Sequence, residues 1–258
     1  MNWKWAAVVG AVLGLALPLG TAAADDVHGA IAGGARASTA DFPWAVYLTD
    51  DVKGVSEFCG GTLAAPNKVV TSAWCATRVS ARKLKIVAGR DDRKSRAGVV
   101  ADVAKVWVHP KFDDEQLFND VAVVTLTKPL PYKTLPLAGP ADAALEKPGV
   151  TGTALGWGWT AQVKESQFLR KADIPLVDNA KCATEYGQAF DPKTRLCGGR
   201  LEGGTATCAG DGGGPLVVAG KLVGTVTLGH GCGEQAGVPK MWMRISAYQA
   251  ELARQLAN

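Results

Sequence analysis

The chain has 258 residues, of which 47% are hydrophobic and 20% are charged, and its formal net charge is +4. A chain of this length and hydrophobicity can bury a substantial core in one large or two small units, which excludes general disorder. The excess of basic residues is small and evenly spread, without a basic run, so nucleic acid is excluded as an expected partner.

The N-terminus is typical of a secretory signal peptide over residues 1–24. It contains one lysine, an apolar stretch over residues 5–19 and small residues at 22–24 in an A-x-A arrangement, so cleavage is expected before Asp25. The alternative is an uncleaved membrane anchor, but the apolar stretch is shorter than the roughly 20 residues that a spanning helix requires. We therefore predict export to the extracellular space and no membrane contact after the signal peptide is removed.

Export determines how the six cysteines are interpreted. An even number in a chain sent to an oxidising compartment predicts three disulfides, although the spacing does not decide which cysteine pairs with which. A zinc site is the competing interpretation, but no two cysteines have C-x-x-C spacing and the three histidines lie far apart in the sequence. We expect neither a metal nor a cofactor.

Short apolar runs separated by glycine and proline make up most of the remaining chain, as in "WAVYLT", "KLKIVAG" and "DVAVVTL". Many short strands at regular spacing predict an all-β barrel or sandwich. Only the C-terminal tail is predicted to be helical, with Ser246 as its N-cap and Tyr248, Leu252 and Leu256 on one face. A proline-rich segment near 126–140 suggests two halves joined by an extended connector.

Five segments of the chain follow one another in a known series: "IAGGARASTADFPWAVYL", "FCGGTLAAPNKVVTSAWCA", "FNDVAVVTL", "LGWG" and "LEGGTATCAGDGGGPLV". On these segments the chain resembles the trypsin-like serine proteases of the chymotrypsin fold. The resemblance implies one domain over residues 31–258, built from two antiparallel six-stranded β-barrels with a cleft between them and a short C-terminal helix. It also implies the disulfides Cys59–Cys75, Cys182–Cys197 and Cys208–Cys232.

The resemblance also matches three positions to the catalytic triad of the family. Asp120 matches the buried aspartate, Trp74 the histidine and Gly212 the nucleophilic serine. Attack on an amide needs a hydroxyl and an adjacent base that takes its proton, whereas glycine has no side chain and an indole has no basic nitrogen. We expect Trp74 to fill space vacated beside Gly212, with its ring nitrogen near Asp120 or, alternatively, with the ring turned to solvent.

Other features of the nucleophile loop resemble those of active members. The resemblance places an oxyanion hole at the backbone N–H groups of Gly210 and Gly212, where an anion or a carbonyl could dock. It pairs Asp211 with an ammonium at Ile31 after removal of a short propeptide, residues 25–30; the alternative is that both residues only maintain the fold. The propeptide does not end in lysine or arginine, so trypsin-like self-activation is not encoded.

The specificity pocket of the family is altered in this sequence. Ala206 stands where a trypsin has the aspartate that binds lysine or arginine, and Leu228, between Thr227 and Gly229, replaces the usual tryptophan. Lys240 falls where a glycine usually keeps the pocket open. The lysine either fills the pocket or directs its ammonium to solvent, or else it presents a cation that selects acidic peptides.

These changes predict a secreted pseudoprotease, a monomer that binds a protein or peptide through the inherited cleft without catalysis. Two alternatives stay open. The first is a serine endopeptidase, as family membership alone would suggest. The second is an enzyme of different chemistry that uses the oxyanion hole and Lys240.

Overall fold

The computed structural model describes Met1, Ile31 and residues 33–51, 59–159, 166–227 and 229–258. Residues 2–24 of the predicted signal peptide, the propeptide and Leu228 therefore lie outside the described residues. The described part forms thirteen β-strands and three α-helices, and none of these helices is long and apolar enough to cross a membrane. The predicted all-β class is confirmed.

Six antiparallel strands close into the first barrel: β2 (Ala45–Thr49), β3 (Cys59–Ala65), β4 (Lys68–Thr71), β5 (Lys85–Ala88), β6 (Val99–Val108) and β7 (Ala122–Leu126). Their order around the barrel is β2-β3-β4-β7-β6-β5, and β5 pairs with β2 to complete the ring. Every residue of β2 is buried, because this strand also packs against the second half of the chain. The rings of Tyr47 and Trp157 meet edge to face there, with centroids 4.9 Å apart.

Seven antiparallel strands form the second sheet: β1 (Ala35–Arg36), β8 (Thr151–Gly156), β9 (Arg170–Pro175), β10 (Arg195–Gly198), β11 (Pro215–Val218), β12 (Lys221–Val226) and β13 (Lys240–Arg244). Their order is β1-β9-β8-β11-β12-β13-β10, so the two-residue β1 is an addition to the six expected strands. A single antiparallel bridge between Leu176 and Gly198 brings the end of β9 to β10. The second barrel is therefore closed by one bridge, whereas a full strand pairing closes the first.

The α-helices are α1 (Ala73–Thr77), α2 (Asn179–Tyr186) and α3 (Ile245–Ala257). The sequence pattern predicts only α3, because α1 and α2 are too short for a helical period to show. Each of the two short helices has a capping side chain: Ser72 accepts a hydrogen bond from the Cys75 N–H and Asp178 from the Ala180 N–H.

The C-terminal helix is confirmed, but the prediction of Ser246 as its cap is wrong. Arg244 occupies the N-cap position because β13 leads directly into α3, so the helix begins before the serine. Tyr248 and Leu252 are buried on the predicted face, and Leu256 packs against the same core.

The three disulfides implied by the family resemblance are all present: Cys59–Cys75, Cys182–Cys197 and Cys208–Cys232. The first links β3 to α1, and the third links two loops that border the space between the barrels. The connector after β7 is held by both halves: the Leu130 N–H donates to the Pro66 carbonyl at 2.7 Å and the Ala138 N–H to the Leu222 carbonyl at 2.9 Å.

The two barrels approach most closely through glycines. The Gly60 N–H in β3 donates to the Gly212 carbonyl at 2.8 Å. A Cβ atom on Gly60 would lie 2.8 Å from the Gly214 Cα, closer than carbon atoms can approach without a shift. The absence of a side chain at Gly60 therefore sets how near the 212–214 loop lies to the first barrel.

We expect Gly60→Ala to lower the free energy of unfolding by about 1–3 kcal/mol, because the added methyl group meets backbone atoms that cannot rotate away. Urea denaturation measures the change. Gly139→Ala is the matched control, since a Cβ atom there would lie 3.6 Å from the nearest Gln249 atom; its effect should stay within about 0.5 kcal/mol. Equal stabilities for the two variants would contradict the importance of the glycine contact.

Candidate functional site

A cavity of about 550 Å³ lies between the barrels, within the size range of sites that hold a small ligand or a peptide side chain. Most of the predicted site residues line it: Trp74, Asp120, Gly210, Gly212, Thr227, Gly229 and Lys240. Ala206, Asp211 and Ile31 do not line it; all three are buried, Ile31 in the core of the second barrel.

Helix α1 places Trp74 at this cavity. The Ser72 hydroxyl oxygen accepts a hydrogen bond from the Cys75 N–H at 3.1 Å, which starts the helix, and the Cys75–Cys59 disulfide ties the helix to β3. With the helix held in this way, the backbone N–H of Trp74 donates to Asp120 Oδ1 at 2.8 Å.

The carboxylate of Asp120 is buried and has a partner for each oxygen. Oδ1 accepts from the Trp74 backbone N–H, and Oδ2 accepts from the Thr227 hydroxyl at 2.7 Å. Burial raises the pKa of the Asp120 carboxyl, and these hydrogen bonds oppose the increase. The aspartate is therefore satisfied without a donor from the side chain at position 74.

Trp74 is 37% exposed, and a cationic side chain lies over one face of its indole ring. The Arg78 guanidinium lies over the ring, 4.4 Å from its centroid, and also pairs with Asp114 at 2.7 Å. The ring therefore faces the outer part of the cavity, where Arg78 holds it.

The predicted exchange of space between Trp74 and Gly212 is wrong. A Cβ atom on Gly212 would have only the sulfurs of Cys75 and Cys59 within 4 Å, at 3.3 and 3.7 Å, and no indole atom. Among the described residues, no hydrogen bond joins the ring nitrogen of Trp74 to Asp120. The reason is the outward position of the indole, which stacks under Arg78 instead of entering the space beside the glycine.

Arg195 supports the loop that precedes Asp120. Leu117 and Asn119 in this loop have left-handed backbone angles, φ +53° and +55°, which are unfavourable for residues other than glycine. The Arg195 guanidinium donates to the carbonyls of Gln116 and Leu117 at 2.9 and 2.6 Å, and burial lowers its pKa. Sequence reasoning missed this residue, because an arginine in β10 gives no sign of which distant loop it binds.

The backbone N–H groups of Gly210 and Gly212 line the cavity with no acceptor in the described part of the chain. Gly210 has φ +92°, a conformation that glycine adopts without strain. Such donors can receive a carbonyl oxygen or an anion. Their use as an oxyanion hole stays a prediction.

Asp211 is fully buried behind this loop. Its carboxylate accepts hydrogen bonds from the Gly158 and Cys208 N–H groups, both at 2.9 Å, and burial raises its pKa to about 6. Ile31 is buried among apolar residues of the second barrel. The pairing of Asp211 with an ammonium at Ile31 requires a cut chain and stays a prediction.

Lys240 is buried against the inner wall of the cavity. Its ammonium donates to the carbonyl oxygens of His230 and Gly231. A Cβ atom on Gly229 would lie only 2.3 Å from the Lys240 Cδ, so the lysine stem fills the space beside that glycine. Burial lowers the pKa of Lys240 to about 8.

The surroundings of Lys240 indicate that its side chain fills the pocket and does not serve as a cationic site for acidic ligands. Two carbonyls already hold its ammonium, and the negative charges of Glu234 and Asp211 both raise the pKa of Lys240, opposing the effect of burial. A third negative charge from a ligand would be repelled by these two. Ala206, which was expected at the base of the pocket, is buried and does not reach the cavity.

Comparison with known proteins finds similarity over both barrels. The family model described as Trypsin matches residues 31–251. Trypsin of Saccharopolyspora erythraea is 40% identical over 228 residues, covering 88% of this chain and 98% of that protein. Trypsin eta of Drosophila melanogaster is 34% identical over 233 residues, covering 88% of each chain. Hypodermin-B of Hypoderma lineatum is 31% identical over 249 residues, covering 94% of this chain and 93% of that protein.

The pKa of Asp211 predicts a pH-dependent contribution to stability in the uncut chain. The unfolded carboxyl releases its proton near pH 3.8, and the folded one near pH 6. The folded state binds more protons between these values, so this contribution to the free energy of unfolding decreases as pH rises from about 3 to 7, by about 3 kcal/mol. Above about pH 7 it is constant.

Asp211→Asn should remove this contribution. We expect the stability of the unsubstituted protein, relative to the variant, to fall by about 2 kcal/mol between pH 4 and 6.5 in urea denaturation. Asp173→Asn, at an exposed strand position, is the control and should show no such difference. A difference that rises over the window would indicate that a cation pairs with Asp211.

Proposed function

Because this chain belongs to the trypsin family of serine proteases, we propose that it is an exported member without catalysis that binds a peptide or protein in its cleft. The observation that carries the proposal is the identity of two residues that line the cavity together with Asp120, namely Trp74 and Gly212. Proteolysis by this family needs a hydroxyl nucleophile and an adjacent base, and these two residues supply neither.

No other residue in the described lining of the cavity replaces the missing nucleophile and base. Three hydroxyl residues line it, and each is committed or buried: Ser72 caps α1, Thr227 donates to Asp120, and Thr207 is 3% exposed. No histidine belongs to the described lining of the cavity. A nucleophile next to a base is therefore lacking in the described cleft.

Two other functions compete with this proposal. Serine endopeptidase activity is supported by the names of the similar proteins, two of which are trypsins. Different chemistry at Lys240 has weaker support, since an amine nucleophile must be unprotonated and free, whereas the Lys240 nitrogen donates to two backbone carbonyls.

The proposal includes an extracellular location and a single-chain protein. Three disulfides support an oxidising destination, and the predicted signal peptide provides the route. A protein or peptide is the proposed partner, because the inherited cleft is concave and the small net charge favours neither nucleic acid nor a membrane surface.

The protein purified from the medium of an exporting host should remain unlabelled by a fluorophosphonate probe and should leave peptide amides and esters intact. An active trypsin treated in parallel is the positive control. Mass spectrometry of the intact protein and of the substrates provides the measurement. Covalent labelling of any residue would support the endopeptidase function instead.

Restoring both missing groups is a second test. Trp74→His combined with Gly212→Ser should gain labelling at position 212, because Asp120 is already held and a Cβ atom there meets only the two disulfide sulfurs. Trp74→Phe combined with Gly212→Ser is the matched control without a base, and its labelling should be at least about 100-fold slower. If the first variant folds and stays unlabelled, positions 74 and 212 do not have the proposed relation to Asp120.

A further inference from the structure

Two exposed indoles lie in the wall of the cavity. In the described part of the chain the exposed large hydrophobic side chains are Met1, Trp74 and Trp159, and the two tryptophans are 37% and 36% exposed. Both line the cavity, Trp74 from the first barrel and Trp159 from the second. Large aromatic side chains that converge on one concave site are typical of a binding surface.

The Trp74 ring is held by Arg78, and the backbone of Trp159 is held by Ala209. Arg78 lies over the Trp74 ring, donates through Nε to the Trp74 carbonyl at 3.2 Å and pairs with Asp114 at 2.7 Å. The Trp159 backbone N–H donates to the carbonyl of Ala209, another residue of the cavity wall, at 2.7 Å. Contact groups that are ordered before binding lose less entropy when a ligand arrives.

The charged groups of the cavity already have hydrogen-bond partners within the fold. The described lining contains two charged residues, Asp120 and Lys240. Both carboxylate oxygens of Asp120 accept hydrogen bonds, and the Lys240 ammonium donates to two carbonyls. A charged ligand side chain would lose its hydration without gaining a free counter-charge, which is unfavourable. An uncharged side chain is therefore favoured.

The polar groups offered to a ligand include the N–H donors of Gly210 and Gly212, for which the described residues supply no acceptor. A main-chain carbonyl oxygen is the acceptor that suits them, and a peptide supplies it beside every side chain. A sugar could also stack on indoles, but each of its buried hydroxyls would need a partner, and the Ser72 and Thr227 hydroxyls are already used within the fold.

We propose that the cleft binds an extended peptide through an aromatic or large apolar side chain packed against Trp74 and Trp159, while a peptide carbonyl accepts from Gly210 and Gly212. This inference rests on the proposed non-catalytic function and specifies its ligand. The lysine in the sequence suggests an acidic ligand. We propose an apolar ligand instead, because the Lys240 ammonium already donates to two main-chain carbonyls.

The experiment uses acetyl-Ala-Ala-X-Ala-Ala-amide peptides, in which X is Trp, Phe, Ala, Glu or Lys, titrated into the exported protein in a calorimeter. The Trp and Phe peptides should bind at least about tenfold more tightly than the Ala peptide, and the Glu and Lys peptides no more tightly than Ala. Trp74→Ala and Trp159→Ala should each lower the affinity for the Phe peptide about tenfold. Arg82→Ala truncates an exposed side chain of the first barrel outside the cavity and should change nothing. Both tryptophans are exposed, so thermal unfolding should show that the variants remain folded.

Mass spectrometry of the recovered peptides tests the aromatic site and the proposed non-catalytic function separately. Cleaved peptides would overturn the non-catalytic function, whatever their affinities. Intact peptides with equal affinity for Phe, Ala and Glu would overturn the aromatic site and leave the non-catalytic function standing. The aromatic peptide site would also be overturned if the Glu peptide bound more tightly than the Phe peptide, or if an N-acetylglucosamine trimer bound and no peptide did.

Discussion

The backbone hydrogen bond from Gly60 to Gly212 is the contact on which the cleft depends. It brings the loop of the second barrel against β3 of the first, beside the Cys59–Cys75 disulfide that holds α1. Because Gly60 has no side chain, the two barrels approach at backbone distance, and the cavity opens next to this contact. The site is therefore a consequence of how two independently closed β-structures pack together.

The buried charged groups around the cleft are satisfied by hydrogen bonds within the fold. A buried carboxylate is costly unless it has hydrogen-bond donors, and Asp120 obtains them from a backbone N–H and a threonine hydroxyl. Arg195 is buried as well, and its donors satisfy the carbonyls of a strained loop. Each charged group therefore has hydrogen-bond partners in the protein, and those of Asp120 do not include the indole at position 74.

The same compensation changes what the cavity can bind. Where a free cation or carboxylate would select a charged ligand, the Lys240 ammonium and the Asp120 oxygens are occupied within the fold. What faces the cavity is then mostly apolar, with two exposed indoles and two backbone donors. Specificity in such a site comes from the area of a ligand side chain packed on the indoles and from a ligand carbonyl that accepts from the backbone donors. Electrostatic attraction contributes less.

The sequence by itself determined the all-β class, the C-terminal helix and, through its resemblance to a family, the disulfide pairs and most of the predicted residues that line the cleft. Short strand patterns and ordered motifs are local, so one chain is enough to recognise them. The cap of α3 was misplaced and two short helices were missed, because one or two turns carry too few residues for a period. Only the tertiary structure decided that Trp74 turns toward Arg78, that Thr227 satisfies Asp120, that Arg195 supports a distant loop and that carbonyls hold Lys240. Rotamers and hydrogen-bond partners depend on neighbours far away in the chain, and residue type and spacing do not specify those neighbours.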